Sequence, residues 1–192
     1  IKMRFRLVQK TKTEYNNSYE ADFSDIPERR CGAVPRAVVF SDSHGDYDVL
    51  ERIMERHRGN AELFIHLGDG ERELEYLRFV YGEKKILFVR GNCDWDSDAP
   101  DYDLADFCGK RIFFTHGSLY GVKGGTERVI AEAQKHAADI LLFGHTHIPL
   151  VEREEDLYIM NPGSCSRPRS GAPTYGVIDF TESGIFMYTA EI

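Results

Sequence analysis

The sequence has few cysteines, and none of them lie at the spacing of a metal-binding or redox pair. Its four cysteines, Cys31, Cys93, Cys108 and Cys165, form no CxxC motif, which excludes a thiolate zinc module. A chain of 192 residues is long enough to form a hydrophobic core without disulfides or a structural metal. We therefore expect reduced thiols and a cytoplasmic location.

Long hydrophobic runs are also missing. The densest apolar stretches, such as Ile140–Phe143, are far shorter than the roughly 18 to 20 apolar residues that span a bilayer. The first ten residues mix basic and apolar types without the continuous hydrophobic region of a signal peptide. We expect neither a membrane span nor a signal peptide.

Basic residues are outnumbered by acidic ones. There are 24 Lys and Arg against 32 Asp and Glu, which gives a net charge of −8 and a pI of about 5.4. Such a surface repels long polyanions, so general binding to nucleic acids or anionic membranes is excluded. A cationic site inside the acidic body would still attract a small phosphate-bearing molecule.

The pattern from Arg36 onwards predicts one α/β domain over residues 36–192, preceded by a polar N-terminal extension over residues 1–35 that is either mobile or packed on the domain. Short apolar runs alternate with amphipathic helices, and two hairpins close the chain. The apolar face of the second helix is expected to contain Leu74, Leu77 and Phe79, and Thr126 is a candidate cap of the third helix. We expect two packed sheets, the N-terminal one mostly parallel, with helices outside. The predicted strands are Ala37–Phe40, Leu63–Leu67, Ile86–Val89, Ile112–Thr115, Ile140–Phe143, Leu150–Arg153, Leu157–Met160, Tyr175–Phe180 and Ile185–Thr189; the helices are Tyr47–Arg58, Glu71–Tyr81 and Thr126–His136; a long loop runs from Gly91 to about Leu104.

Five polar clusters each follow a predicted apolar strand, where α/β proteins place their active sites. Residues i and i+2 of an extended backbone point to the same side, so Asp42 converges with His44, and His145 with His147. The clusters are Asp42-Ser43-His44, Gly68-Asp69, Gly91-Asn92-Cys93-Asp94, His116-Gly117 and Gly144-His145-Thr146-His147.

These clusters contain the ligands of a metal centre. Carboxylate, imidazole and amide groups without thiolates suit Mn²⁺, Fe, Zn²⁺ or Ni²⁺. Seven such side chains are too many for one ion but fit two ions about 3.5–4 Å apart that share a carboxylate. The seven are Asp42, His44, Asp69, Asn92, His116, His145 and His147.

In this order, the motifs resemble the signature of the calcineurin-like metallophosphoesterases, in particular their small bacterial and archaeal phosphodiesterase branch. The resemblance extends from Arg36 to the C-terminus and implies an α/β fold in which two sheets form an αββα sandwich with outer helices. It also implies a hydrolase with two divalent ions, manganese first, with nickel, iron or zinc as alternatives. One ion would be held by Asp42, His44, Asp69 and His147, and the other by Asp69, Asn92, His116 and His145.

The resemblance implies that Asp42, Asp69, Asn92 and His116 are catalytic, with Asp69 as the bridging ligand and a metal-activated water as the nucleophile that attacks phosphorus. Asn92 and Arg167 are the candidate substrate contacts. The expected substrate is a small phosphodiester, with a phosphomonoester as the other possibility. The sequence leaves the oligomeric state open.

Two positions depart from the family pattern. Cys93 stands where many relatives have a histidine that protonates the leaving group, and a thiol is a poor proton donor near neutral pH. Ser118 stands where relatives often have a second histidine. Good leaving groups should therefore react faster than poor ones. The alternative function is a catalytically weak nucleotide-binding protein or a protein-interaction scaffold, because a retromer subunit shares this fold.

Simpler interpretations accompany several of these residues. His57 and His136 are expected on helix surfaces, and His66 in the core. Asp42 and Asp69 could cap helices, and the acidic residues after Cys93 are expected to form a solvated loop. On that loop, Trp95 and Tyr102 either line a substrate entrance or anchor the loop. Asn161-Pro162-Gly163-Ser164 has the composition of a turn.

Overall fold

The computed structural model describes residues 34–192, and the chain in this range forms three helices and ten strands. The predicted extension over residues 1–35 therefore lies outside the described residues except for Val34 and Pro35. The elements are β1 (Arg36–Phe40), α1 (Tyr47–His57), β2 (Leu63–His66), α2 (Glu71–Val80), β3 (Lys85–Phe88), β4 (Tyr102–Phe107), β5 (Lys110–Thr115), a 3₁₀ turn (Ser118–Tyr120), α3 (Glu127–Lys135), β6 (Ile140–Phe143), β7 (Leu150–Glu154), β8 (Leu157–Asn161), β9 (Thr174–Thr181) and β10 (Gly184–Glu191).

The strands form two sheets, as the sequence predicts, and each sheet has five strands. The first sheet has the order β10-β9-β1-β2-β3, and the second has the order β4-β5-β6-β8-β7. The expectation that the first sheet is mostly parallel is wrong. β1, β2 and β3 are parallel, but β9 pairs antiparallel with both β1 and β10. The sheet is mixed because the last hairpin of the chain returns to its edge.

The core lies between the sheets and under the helices. In β1, Ala37 and Val39 face the second sheet, while Val38 and Phe40 pack beneath α1 and α2. All four are fully buried, because both faces of the sheet are covered and the side chains of a strand alternate between them. α3 covers the outer face of the second sheet through Val129. The predicted sandwich of two sheets between helices is confirmed.

Three local predictions differ from the structure. β4 begins at the end of the predicted loop; it is an edge strand interrupted by Asp103 and Asp106, so it lacks a continuous apolar run. Phe79 was expected on the buried face of α2 but is 88% exposed, while Leu74 and Leu77 are buried. Thr126 precedes α3, but its side chain makes no capping hydrogen bond. None of the helices over residues 34–192 has the length and apolar character needed to cross a membrane.

Candidate metal centre

The loops that follow β1, β2, β3, β5 and β6 meet at one edge of the sandwich. In the first sheet, the amides of Asp42 and His44 donate to the carbonyl groups of Gly68 and Asp69, both at 3.0 Å. The two sheets are joined where the amide of His145 donates to Asp42 Oδ2 at 3.1 Å. These backbone contacts bring all seven predicted ligand side chains to one place.

Five of these seven residues have left-handed backbone conformations. Their φ angles are 57° for Asp42, 45° for His44, 58° for Asp69, 67° for His145 and 59° for His147. The expectation of an extended backbone at the paired motifs is therefore wrong, although Asp42 and His44 do converge. Non-glycine residues rarely adopt this conformation, and it concentrates at functional sites.

The carboxylate of Asp42 is buried, and its two oxygens have different surroundings. Oδ2 accepts from Ser41 Oγ at 2.6 Å and from the His145 amide. Among residues 34–192, Oδ1 has no well-aligned hydrogen-bond partner, although His147 Nε2 is 3.0 Å away and His44 Nε2 is 3.8 Å away. Burial raises the pKa of Asp42, but His147, His116 and Ser41 together lower it to about 2. The Asp42 carboxylate is therefore ionised, and its buried Oδ1 faces the imidazoles of His44 and His147.

The imidazoles form two close pairs. His44 Nε2 and His147 Nε2 are 3.3 Å apart, and His116 Nε2 and His145 Nδ1 are 3.1 Å apart. His147 Nδ1 donates to the Arg167 carbonyl at 2.6 Å, and His116 Nδ1 donates to the Leu67 carbonyl at 2.7 Å. These bonds fix the tautomers, so Nε2 of each ring carries a lone pair directed at the cluster.

Asp69 lies between the two imidazole pairs. Its Oδ2 is 4.0 Å from His44 Nε2 and 3.6 Å from His116 Nε2, while its Oδ1 accepts from the Cys93 amide at 2.7 Å. Asn92 Oδ1 completes the second group, 3.1 Å from His116 Nε2. Lone pairs and carboxylates this close repel one another unless positive charge lies between them, so the donor set fits divalent cations.

Burial also keeps two of the imidazoles neutral. Burial and the neighbouring His116 lower the pKa of His145 to about 4, and burial lowers the pKa of His44. His147 differs, because the adjacent Asp42 carboxylate, 3.0 Å from its Nε2, raises its pKa. Neutral imidazole is the form that binds a metal ion.

Asp94 organises the loops, a role that sequence reasoning missed. Its carboxylate accepts from four backbone amides: Oδ2 from Asp69 and Gly91, both at 2.7 Å, and Oδ1 from Gly70 at 3.0 Å and Glu71 at 3.1 Å. The expectation of a solvated carboxylate is therefore wrong at this position. The interpretation of Asp42 and Asp69 as helix caps is also wrong. Asp46 caps α1, and Asp94 accepts hydrogen bonds from the backbone amides at the start of α2.

A buried polar chain supports the loops from beneath. Ser43 Oγ donates to Glu73 Oε1 at 2.9 Å and lies 3.2 Å from His66 Nε2, and His66 Nδ1 accepts from the Gly68 amide at 3.0 Å. The Gly45 amide also donates to Glu73. Burial lowers the pKa of His66 to about 4, which agrees with the expected core position. Glu73 was missed because a glutamate in the first turn of a helix is normally solvated.

The remaining predicted residues lie around the rim. Arg167 is exposed, and its Nη2 donates to the His44 carbonyl at 3.3 Å. The thiol of Cys93 lies within 4.8 Å of ligand atoms of His44 and Asp69. Burial and Asp69 raise the pKa of Cys93 to about 11, so the group is a neutral thiol at physiological pH.

The predicted turn Asn161-Pro162-Gly163-Ser164 is tied to two of the metal-site loops. Asn161 Nδ2 donates to the Gly144 carbonyl at 2.9 Å, and Ser164 Oγ donates to the Asp42 carbonyl at 2.8 Å. The turn therefore supports, from within the protein, the loops that carry Asp42 and His145.

Three residues outside the metal centre, His57, Tyr102 and Trp95, can now be compared with their predicted roles. His57 was expected on the surface but is buried, with Nε2 3.0 Å from the Tyr175 hydroxyl. Tyr102 stacks on Phe113 with ring centroids 5.2 Å apart, which favours the anchoring role. Trp95 is 88% exposed.

Comparisons with known proteins identify the family of this chain. Residues 36–183 match the family described as the calcineurin-like phosphoesterase superfamily domain. The protein named "Probable metallophosphoesterase YsnB" from Bacillus subtilis (strain 168) is 36% identical over 132 residues, covering 69% of this chain and 76% of that protein. "Phosphodiesterase YfcE" from Escherichia coli (strain K12) is 33% identical over 168 residues, covering 75% and 87%.

Solved structures show the same fold. The E. coli phosphoesterase YfcE superposes with a TM-score of 0.60 at 25% identity, covering 82% of this chain and 99% of that one. Vps29 from Chaetomium thermophilum gives a TM-score of 0.63 at 19% identity, covering 81% and 95%. The latter similarity is one of fold alone. The resemblance in the sequence is thus confirmed, and the chain belongs to the calcineurin-like phosphoesterase superfamily.

Proposed function

We propose that this protein is a dinuclear metal-dependent phosphodiesterase that acts on small substrates. The observation that carries the proposal is the position of Asp69 Oδ2 between His44 and His116. A carboxylate oxygen that lies near one imidazole of each ligand set is in the position of a ligand that bridges two ions. The relative YfcE is named a phosphodiesterase.

The ligand assignment that the resemblance implies divides the seven side chains into two overlapping sets, and the close contacts within each set support it. One set is Asp42, His44, Asp69 and His147, within which the closest contacts are 3.0 Å and 3.3 Å. The other is Asp69, Asn92, His116 and His145, in which His116 Nε2 is 3.1 Å from both Asn92 and His145. Only Asp69 belongs to both sets.

Two divalent ions, with Mn²⁺ favoured over Ni²⁺, Fe and Zn²⁺, would supply the charge that binds phosphoryl oxygens and lowers the pKa of water. The protein contributes orientation. The carbonyl groups of Leu67 and Arg167 hold the rings of His116 and His147. Asn92 and Arg167 are exposed at the rim, where an amide and a guanidinium can hydrogen-bond the phosphate.

The substrate range follows from Cys93 and from the net charge. A thiol, whose ordinary pKa is about 8.5, is a poorer proton donor to a departing alkoxide near neutral pH than the imidazole of many relatives. Activated aryl and similar esters should therefore react faster than alkyl esters. The net charge of −8 opposes binding of long nucleic acids. We also propose that residues 36–192 form the catalytic domain and that residues 1–35 are an extension to it.

The proposal is tested with bis(p-nitrophenyl) phosphate and p-nitrophenyl phosphate, after chelation and after addition of Mn²⁺, Ni²⁺, Zn²⁺ or Mg²⁺. Metal content is measured by mass spectrometry on the same samples. Asp69→Asn is the test variant, and Asp98→Asn on the exposed loop is the matched control. We expect two ions per chain, faster hydrolysis of the diester, and loss of both properties in Asp69→Asn only.

The outcomes separate the alternatives. Unchanged metal content and hydrolysis in Asp69→Asn would refute the bridging assignment. Folded wild-type protein that hydrolyses neither ester with any of the four metals would favour the alternative, a nucleotide-binding or scaffold protein of the same fold.

A further inference from the structure

A cleft opens beside the candidate metal centre. It has a volume of about 390 Å³, which lies within the roughly 300–1,000 Å³ of small-molecule sites. Its wall includes His44, so a molecule in the cleft adjoins the proposed phosphate position. The lining residues are His44, Gly45, Asp46, Tyr47, Asp48, Ser166 and Arg167.

We propose that this cleft binds the organic group that stays on the phosphate when the leaving group departs, and that this retained group is a planar aromatic ring, such as a nucleobase, stacked on Tyr47. The inference rests on the proposed function and deepens it by naming the substrate class. Stacking on an aromatic side chain accepts any base, because every base has a π-face.

Tyr47 presents its ring in a fixed position. It is the first residue of α1, and the preceding Asp46 caps that helix by accepting from the Val49 amide at 3.1 Å. The ring of Tyr47 packs edge-on against Tyr76, with centroids 5.7 Å apart and an angle of 80° between the planes. The side chain is nevertheless 42% exposed. A ring that is already ordered and still open to solvent loses little entropy when a ligand stacks on it.

A second chain segment supplies the cationic part of the cleft. Arg167 Nη2 donates to the His44 carbonyl, and Ser166 Oγ donates to the Asp42 carbonyl at 3.0 Å. Both residues are thereby fixed to the loop that carries two candidate ligands. A diester can thus place its phosphate near the guanidinium and its aromatic group near Tyr47.

The charges of the cleft narrow the substrate class. Asp46 and Asp48 contribute two carboxylates against the single guanidinium of Arg167. A second phosphate on the organic group would approach these carboxylates and be repelled. The favoured substrate is a diester whose aromatic group carries no further negative charge, which excludes nucleoside polyphosphates and oligonucleotides.

The test compares two esters with the same leaving group and the same charge: thymidine 5′-(p-nitrophenyl phosphate) and ethyl p-nitrophenyl phosphate, both with the Mn²⁺-loaded full chain. We expect wild-type kcat/KM to favour the thymidine ester by about 10-fold or more. Tyr47→Leu should reduce this preference to near unity, and Tyr47→Phe should keep it. Tyr188→Leu, an exposed tyrosine on β10, is the control that changes neither value.

Two further measurements complete the test. Calorimetric titration with thymidine 5′-monophosphate should show affinity about 10-fold weaker in Tyr47→Leu. A 3′-phosphate on the thymidine ester should lower kcat/KM, and Asp48→Asn should recover part of the loss. Equal kcat/KM for the two esters in wild type, or equal losses for both in Tyr47→Leu, would overturn the subsite and leave the phosphodiesterase proposal intact. If neither ester is hydrolysed, the phosphodiesterase proposal fails, and the titration alone decides the subsite.

Discussion

Replacing Asp94 by alanine should destabilise the protein by about 2–4 kcal/mol, although Asp94 is neither a core residue nor a candidate ligand. Its carboxylate accepts from four backbone amides, two of them at the start of α2. Losing a helix cap costs roughly 1 kcal/mol. Hydrogen bonds to a charged group contribute about 1.5–3 kcal/mol each. Because Asp94 is partly exposed, water can replace some of these hydrogen bonds in the variant. The expected loss of unfolding free energy is therefore about 2–4 kcal/mol rather than the full sum of the four bonds.

The assay is urea denaturation of metal-free protein, with thermal melting as a second measurement. For a domain of this size, about 3 kcal/mol corresponds to a decrease in Tm of roughly 6–12 °C. Asp96→Ala is the matched control, since Asp96 is an exposed aspartate of the same loop. Asp94→Asn should lie between the two, because an amide oxygen keeps some of the bonds without the charge.

The same substitution should weaken metal binding. The Asp69 amide is one of the four donors, so without Asp94 the Asp69 loop loses a restraint beside the centre. Loss of a group that orients a ligand typically lowers metal affinity 10- to 100-fold. If Asp94→Ala unfolded within about 1 kcal/mol of Asp96→Ala and bound Mn²⁺ as wild type does, the reasoning from the four hydrogen bonds would be refuted.

Three other predictions address the core, the pH dependence and the centre. Leu77→Ala should cost about 2–5 kcal/mol of unfolding free energy and Phe79→Ala less than about 0.5 kcal/mol, because the first side chain is 1% exposed and the second 88%; equal losses in urea titrations would contradict this. Burial lowers the pKa of His57 below its ordinary value of 6.5, so the unfolded state binds its proton more readily, and stability is full above that pH and declines below it; His57→Gln should show a shallower decline between pH 7 and pH 5. Mn²⁺ at 100 times the Kd of each site should stabilise the chain by about 2.7 kcal/mol per bound ion, seen as a higher Tm that chelation reverses. An Asp42→Asn variant whose Tm rises with Mn²⁺ as much as that of the wild type would count against the ligand set.

The sequence predicts the fold and the location of the site for a common reason. Short continuous apolar runs identify strands buried on both faces, and polar clusters such as Asp42-Ser43-His44 stand where those strands end. The convergence of the seven side chains follows from that order. An edge strand such as β4 cannot be identified in this way, because it contains acidic residues and lacks a continuous apolar run.

The supporting residues could not be predicted, because their environment is created by distant segments. Asp94 and Asp96 look alike in the sequence, yet only Asp94 meets the loop from β2 to α2. Glu73 becomes a buried acceptor only because Ser43 comes from another strand's loop. The left-handed backbone at the ligands has no local signal either, since aspartate and histidine occur in many conformations.

The left-handed ligand positions bear on how such a protein changes over evolution. Each non-glycine residue in that region costs on the order of 1–3 kcal/mol, and five of them surround this centre. Replacing one by glycine or asparagine would relax the backbone while removing a ligand. Mutations that abolish the chemistry can therefore make the chain more robust. If selection for hydrolysis ceases, substitutions at these positions can therefore accumulate without a loss of folding stability, and the result is a stable protein without activity.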